Sequence, residues 1–317
     1  MSVRSHGEEL SAQLRPDRKN LVLVRAGRRS LHASWLRHGD PDFDLVVVAY
    51  EPVGDELLAG ALHSMVIPGP KVHGLSLFFA GHWDLVRSYD AIAIIDDDIL
   101  ANAADINACF ETGAAYDLKL WQPSLTSDSF FSHGITVSNK IFRLRYTNFV
   151  EMMCPFFSYQ HLEECRFSFE LGLESGIDQL WCRVGGLKDF GCAVLDSVAV
   201  KHTRKVGQLR ADQGFVGEYS DYLSYIEAAK SAVNYTFSGA VSYAAVLRNG
   251  ATIRNRMLIA ALSAYPIVDY PKAVDKTWFV RPLVNHCGRN LLTEVDRTNV
   301  KDGMVLGANA LGRTRPV

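Results

Sequence analysis

Cysteine pairing is the first pattern this chain lacks. Its six cysteines, Cys109, Cys154, Cys165, Cys182, Cys192 and Cys287, are scattered. None stands at CxxC spacing, so a zinc knuckle or a redox dithiol has no support. Reduced thiols in a cytoplasmic setting are the simplest expectation. Long apolar runs are lacking as well. No stretch of about 18 uninterrupted apolar residues occurs, so no membrane span is expected. The first twenty residues are polar and have no apolar h-region, so no secretory leader is expected either. Charge of one sign is not in excess: 33 basic residues face 35 acidic ones. Composition therefore offers no reason to expect a nucleic-acid partner. No internal repeat is evident. What is present is 48% hydrophobic residues over 317 positions. That profile builds a sizeable core, either one large α/β domain or one domain with an added helical part.

Three short apolar runs carry the architecture. Leu21 to Val24 ends in the turn Arg25-Ala26-Gly27. Phe43 to Tyr50 is rich in β-branched residues, and Ala91 to Ile95 is the third run. They are continuous rather than alternating, which implies strands buried on both faces beneath helices. Helix-compatible stretches, Ser30 to Arg37 and Gly74 to Arg87, lie between them. This order predicts a mostly parallel central α/β sheet flanked by helices. Further on, Leu118 to Trp121 and Gly134 to Val137 read as short strands. Tyr159 to Phe169 and Gly176 to Val184 read as helices, and Cys192 to Val200 as a last strand. Tyr219 to Arg248 and Ile253 to Tyr265 have helical spacing. Pro266, Pro271 and Pro282 then mark a loop-rich segment. The expected divisions are a flexible 1–18, an α/β domain over 19–210, a helical part over 211–300 and a flexible tail over 301–317.

The residues that carry chemistry centre on Asp96-Asp97-Asp98, directly after the run AIAII. Three adjacent carboxylates repel one another unless solvent or a cation compensates. At the carboxyl end of a parallel strand they sit where α/β sheets bind ligands. Hard oxygen ligands suit Mg²⁺ or Mn²⁺, which takes one or two carboxylates together with substrate phosphates. In an extended segment Asp96 and Asp98 point one way and Asp97 the other. The same Asp-x-Asp also resembles the opening of haloacid-dehalogenase phosphatases, with Asp96 as nucleophile. That motif, however, has Thr or Val where this chain has Leu100, and it usually opens the fold.

An ordered set of further pieces resembles a bacterial and plant domain family, long annotated only as of unknown function, that is related to glycosyltransferases of the GT-A fold. The pieces are Lys19-Asn20-Leu21, Phe43-Asp44, Tyr89-Asp90, the triplet, Gln122-Pro123-Ser124-Leu125, Ser132-His133-Gly134-Ile135-Thr136, Phe149-Val150-Glu151, Pro155-Phe156-Phe157-Ser158, Gly176-Ile177-Asp178, Val194-Leu195-Asp196-Ser197 and His202. The resemblance covers roughly residues 19–208. Three places depart from it. Asp97 stands where the family has Glu. Met152-Met153-Cys154-Pro155 replaces Gly-Met-Ala-Pro, and Ser175-Gly176-Ile177 replaces a Trp-Gly before the later Asp.

The resemblance implies a GT-A-like (Rossmann-like) fold and a metal-dependent transfer of sugar from a nucleotide-sugar to a hydroxyl acceptor. Asp98, then Asp96, would hold Mn²⁺ or Mg²⁺, and His202 would complete the metal shell. Asp178, at a helix start, would be the base of an inverting reaction. Glu151, in an apolar stretch, either binds substrate hydroxyls or pairs with a buried arginine such as Arg143 or Arg145. The Arg25-Ala26-Gly27 turn lies under base and ribose in a nucleotide-binding sheet. Gly27 there permits close backbone approach, and Arg25 reaches base or phosphate. Tyr50 lies near the nucleotide edge, and Asp97 is counted with the donor-binding set. Lys71 precedes a helix and either reaches a phosphate or is merely solvated. Asp44 reads as structural, and His133 as facing the acceptor. The acceptor would be a saccharide, free or lipid-linked. Tyr222, Tyr225, Tyr235 and Tyr243 either form a homodimer face or cover the acceptor groove. Arg248, Arg254 and Arg256 beside Met257-Leu258-Ile259 suggest peripheral contact with the inner face of a membrane. A non-catalytic nucleotide-sugar-binding protein is the remaining reading.

Overall fold

The computed structural model describes residues 18–205 and 237–303. Among these, the three apolar runs are strands: β1 (Asn20–Ala26), β2 (Asp44–Ala49) and, after the short β3 (His63–Val66), β4 (Ala91–Asp96). β1 pairs in parallel with β2 and β4, and β2 in parallel with β3. The spatial order β3-β2-β1-β4 shows how the chain winds. It moves outward from β1 through β2 to β3, then returns to the other side of β1 for β4. The carboxyl ends of β1 and β4 thus border a switch point, where α/β sheets open a crevice. Arg25 is the register partner of Asp96, so the Arg25–Gly27 turn and the acidic triplet stand side by side.

Continuous parallel pairing stops at β4. Beyond it come β5 (Ile99–Leu100), β6 (Leu120–Leu125), β7 (Phe142–Thr147), β8 (Phe156–Ser158) and β9 (Cys192–His202). β8 runs antiparallel between β4 and β6, β6 is parallel to β9, and β9 is antiparallel to β7. The result is a mixed α/β fold around one large sheet. Pro123 explains an irregularity in β6. Proline cannot donate to a ladder, and after the Pro123–Leu195 pair the register jumps to Ser124–Ala199. The extra β9 residues bulge out. Asp196 among them receives Arg145 Nε at 2.7 Å and Nη2 at 2.9 Å, and the Ser124 hydroxyl donates to the Val198 carbonyl.

Helices cover both faces. Adjacent residues of β8 point to opposite sides. Phe156 meets Phe110 of the helix α3 (Ala103–Ala115). Phe157 meets Trp181 of the short α5 (Asp178–Trp181). On that second face α4 (Tyr159–Phe169) packs with α2 (Lys71–Val86) through the edge-on pair Phe79–Phe169. A four-residue helix, α1 (Asp55–Leu58), precedes β3. The expected helix over Tyr159–Phe169 is present with the same bounds. The one expected over Gly176–Val184 is a single turn. Ser30–Arg37 contains a 3-10 turn, His32–Leu36.

Three expectations are overturned. Gly134–Thr136 is a 3-10 turn, not a strand. Residues 242–247, placed in a long helix by their alanine spacing, form β10 (Ser242–Leu247). It pairs antiparallel with β7 and with β11 (Thr252–Ile253) and extends the sheet. Alanine favours the helix on its own, but the edge of β7 supplies strand partners, and pairing overrides propensity. Pro282 lies inside a helix, α7 (Lys276–Leu292), not in a loop. Its neighbour along the sequence is α6 (Arg256–Leu262), with a 3-10 segment Tyr265–Lys272 between them. Tyr222, Tyr225 and Tyr235 lie outside the described residues, whereas Tyr243 belongs to β10. Arg248 and Arg256 donate to backbone carbonyls of Asp196, Asn290 and Thr293, and Arg254 faces Asp189. All six cysteines are free thiols, and five are buried. No described helix is long and apolar enough to cross a membrane.

Candidate active site

β4 ends at Asp96, Asp97 and Asp98 form the turn into β5, and the three carboxylates take different partners. Asp97 Oδ2 accepts from the Gly27 amide at 3.0 Å and from the Tyr50 hydroxyl at 3.0 Å. Its Oδ1 takes Arg204 Nη1 at 2.9 Å. Only 3% of this side chain is exposed, and burial raises its pKa against the opposing pull of the Gly27 amide and Arg204. Asp97 is therefore a clamp. It closes the β1 turn over the β4 end and orients Tyr50 and Arg204. A Cβ at Gly27 would fall 2.1 Å from the Tyr50 hydroxyl oxygen, so this packing requires glycine there.

Asp98 faces His202. The short β5 makes this contact, because Ile99 is the register partner of His202 at the end of β9. His202 Nε2 lies 3.2 Å from Asp98 Oδ2, and His202 Nδ1 lies 2.7 Å from the Phe130 carbonyl oxygen. A carbonyl only accepts, so Nδ1 carries a proton and Nε2 is the atom turned to the cleft. Burial alone would lower the His202 pKa. The hydrogen bond and charge of Asp98 outweigh it and push the imidazole up to about 9. The second oxygen, Asp98 Oδ1, is buried without a hydrogen-bond partner among the described residues.

Asp96 is committed differently. Its Oδ1 lies 2.5 Å from Lys71 Nζ, which also donates to the Met152 carbonyl. Burial raises its pKa, and Lys71 opposes that rise. Lys71 is the first residue of α2, and its side chain is 18% exposed, so it is neither merely solvated nor free. The amides of the same helix start, Val72 and His73, are taken at 2.9 and 2.8 Å by Glu174. That helix N-terminus, a natural anion site, is already filled by the chain's own carboxylate.

Two further carboxylates complete the cluster. The Met152 amide donates to Asp178 Oδ2 at 3.2 Å, and the Glu151 amide donates to Gln122 Oε1 at 2.6 Å. Among the described residues Glu151 has no arginine partner. Arg145 belongs to Asp196, and Arg143 donates to the Arg248 carbonyl. Glu151 Oε2 is buried without a partner among the described residues. Burial first, and the Asp178 charge second, push Glu151 up to about 8. Burial pushes Asp178 up to about 6, held back by the Met152 amide and the amides of its own helix turn. Their surroundings thus raise the two carboxyls to different extents, Glu151 the further.

Among the described residues no three His, Cys, Asp or Glu side chains converge as a metal cage. The site offers a free carboxylate oxygen at Asp98 and, once a cation displaces the Nε2 proton, the imidazole edge of His202. That pair fits a hard divalent cation whose other positions go to phosphate oxygens and water. Of the residues singled out from sequence, Asp96, Asp98, Glu151, Asp178, Lys71 and His202 meet here. Arg25 does not. It is 4% exposed and donates to the carbonyls of Val48 and Gly69 at 3.2 and 2.7 Å, bracing the loop before α2. Ala26 is fully buried, and Asp44 is structural, receiving the Tyr89 hydroxyl at 2.9 Å. Arg204, Gln122 and Glu174 were not legible as site residues. Each acts through a partner 29 to 107 positions away. Only Arg204's place two residues after His202 hinted at a role.

No protein-family model matches the chain, and no curated protein matches it. Among solved structures, it is similar to S. aureus TarS 1-349 in complex with UDP-GlcNAc, with 11% identity and a TM-score of 0.45, over 86% of this chain and 81% of that one. It is also similar to glucosyl-3-phosphoglycerate synthase from Mycobacterium tuberculosis in complex with Mn²⁺, UDP-glucose and phosphoglyceric acid. There the identity is 15% and the TM-score 0.40, over 68% of this chain and 83% of that one. Both scores lie under 0.5, and the chemistry of the site rests on this chain's own side chains.

Proposed function

We propose that this chain is a metal-dependent glycosyltransferase that moves a sugar from a nucleoside-diphosphate donor to a hydroxyl acceptor. The observation that carries the reading is the buried Asp98–His202 pair at the switch-point crevice, with one carboxylate oxygen unpartnered and a second acid–base carboxylate pair facing it. Asp98 and His202 would hold Mn²⁺ or Mg²⁺. When bound, the cation supplies positive charge to the departing diphosphate. Lys71 and Arg204 bring two more cations to the same rim. Asp97 keeps Tyr50 and the Gly27 turn in place beneath the nucleoside, so its contribution to donor binding is through position.

Asp178 is the base. Its raised pKa still leaves it mostly ionised at neutral pH, with the proton affinity that removal of a hydroxyl proton needs. The acceptor oxygen forms a bond to the anomeric carbon as the bond from that carbon to the diphosphate oxygen breaks. The acceptor's proton passes to Asp178, and the nucleoside diphosphate leaves with the electron pair. Attack from the side opposite the leaving group inverts the anomeric centre. Protonated Glu151 donates a hydrogen bond to a sugar hydroxyl, a role an ionised carboxylate cannot fill.

Calorimetry of uridine and guanosine diphosphates with Mn²⁺ tests the reading. Asp98→Asn should leave the fold intact and weaken metal-dependent nucleotide binding at least about tenfold, the loss of one charge-assisted ligand. Unchanged affinity in the variant overturns the assignment. Binding without turnover across acceptor panels would make the protein a nucleotide-sugar-binding module. A phosphoryl group trapped on Asp96 would make it a phosphatase.

A further inference from the structure

Between the Ser132–Gly134 loop and α7 lies a cavity of about 360 Å³, a size suited to a small ligand. Arg281, Asn285 and Arg289 line one wall. At i, i+4 and i+8 they form a single stripe along the helix. Gly134 makes the close fit possible, because a Cβ there would fall 2.2 Å from the Pro282 carbonyl oxygen. Gln179, next to Asp178, lines the cavity too. The residues just before the opposite wall tie it to both sites: the Phe130 carbonyl receives His202, and the Phe131 carbonyl receives Trp278 Nε1 of α7 at 2.8 Å.

The electrostatics of this cavity are one-sided. Its lining holds two arginines and no carboxylate. Both arginines reach solvent, and neither guanidinium has an acidic partner among the described residues. His133 in the loop wall is neutral, pushed down to about 4 by burial and then by Arg289, so it adds no charge of its own. Two unpaired forks on one helix face suit an anion with several oxygens.

We infer that this cavity is the acceptor subsite and that it takes a hydroxyl compound bearing an anionic group, a carboxylate or a phosphate ester, held by Arg281 and Arg289. The inference rests on the glycosyltransferase reading for the word acceptor, but the anion site stands on its own residues. The anion anchors the compound along α7, and its hydroxyl extends past Gln179 to Asp178.

The test uses the full chain and three probes, D-glucuronate, glycerol 3-phosphate and D-glucose, in calorimetric titrations. At least one anionic probe should bind at least about tenfold tighter than glucose, and the Arg281→Ala/Arg289→Ala double variant should abolish that preference. The Arg281→Lys/Arg289→Lys pair keeps the charge and should retain part of it. Binding of glucuronate alone or of the phosphate alone identifies which anion the site takes. Equal binding of glucose, no binding of either anion at millimolar concentration, or an anion affinity untouched by the double variant each overturns the inference. Uridine diphosphate with Mn²⁺ is titrated in parallel. Nucleotide binding without anion preference sinks this subsite and spares the transferase reading; anion preference without nucleotide binding does the reverse.

Discussion

Replacing Glu151 by glutamine should change how the stability of the protein depends on pH, in a direction the site dictates. Glu151 is buried, with Oε2 unpartnered among the described residues. Its carboxyl is raised from 4.5 to about 8. Folding therefore retains a proton that the unfolded chain has already released. The stabilising effect is complete below pH 4.5, declines as pH rises, and is gone once pH has passed about 8. At roughly 1.4 kcal/mol per pH unit, the decline is about 3–4 kcal/mol by pH 7 and about 4–5 kcal/mol by pH 8.5. Asp178, raised from 3.8 to about 6, adds a smaller decline of the same sign that is finished near pH 6. Glutamine has nearly the same shape and cannot ionise, so Glu151→Gln removes the larger share. Urea unfolding of metal-free protein at pH 5, 7 and 8.5 checks this. The two proteins should be of similar stability at pH 5, and the variant should be the more stable by a few kcal/mol at pH 8.5. Parallel profiles for the two proteins, or a wild-type stability that climbs from pH 5 to 8.5, would refute the reasoning.

Other perturbations follow from the same geometry. Arg145→Met strands the fully buried Asp196 carboxylate without its partner, so denaturant unfolding should show a loss of about 3–5 kcal/mol; a loss below about 1 kcal/mol would mean that Asp196 finds other donors. Asp178→Asn should retain nucleotide and metal affinity while single-turnover transfer falls at least about a hundredfold, the usual contribution of a general base; near wild-type transfer removes Asp178 from that role. Wild-type kcat/KM should rise with pH through about 6 as Asp178 ionises and fall through about 8 as Glu151 loses its proton. A profile flat from pH 5 to 9 would speak against both assignments.

How much of this was legible in advance depends on the range of the interaction. The runs Leu21–Val24, Phe43–Tyr50 and Ala91–Ile95 announce doubly buried strands, because burial on both faces leaves no room for alternation. The partners of the triplet were not legible, because β4 ends at Asp96 and Asp97 and Asp98 lie in a turn, where extended alternation does not apply. Asp44 as a structural residue and the helix Tyr159–Phe169 were local inferences of the same kind as the strand runs. Arg25 misled. A cation at a nucleotide-side turn suggests a ligand, yet the Val48 and Gly69 carbonyls that claim it lie 23 and 44 residues away. The alanines of β10 misled for a matching reason, since they follow whichever partner the open β7 edge provides.

By itself, then, the sequence determined the burial pattern of β1, β2 and β4 and the placing of three carboxylates at a strand end, because both are set by neighbours within a few residues. Tertiary structure decided what each carboxylate does. The pairing of β5 with β9 carries His202 to Asp98, and the start of α2 delivers Lys71 to Asp96. The closed β1 turn gives Asp97 to Gly27, Tyr50 and Arg204. Burial around residues 151 and 178 raises two chemically similar carboxyls to different extents. Charge, burial and pKa depend on distances through space, and only the folded chain sets those distances.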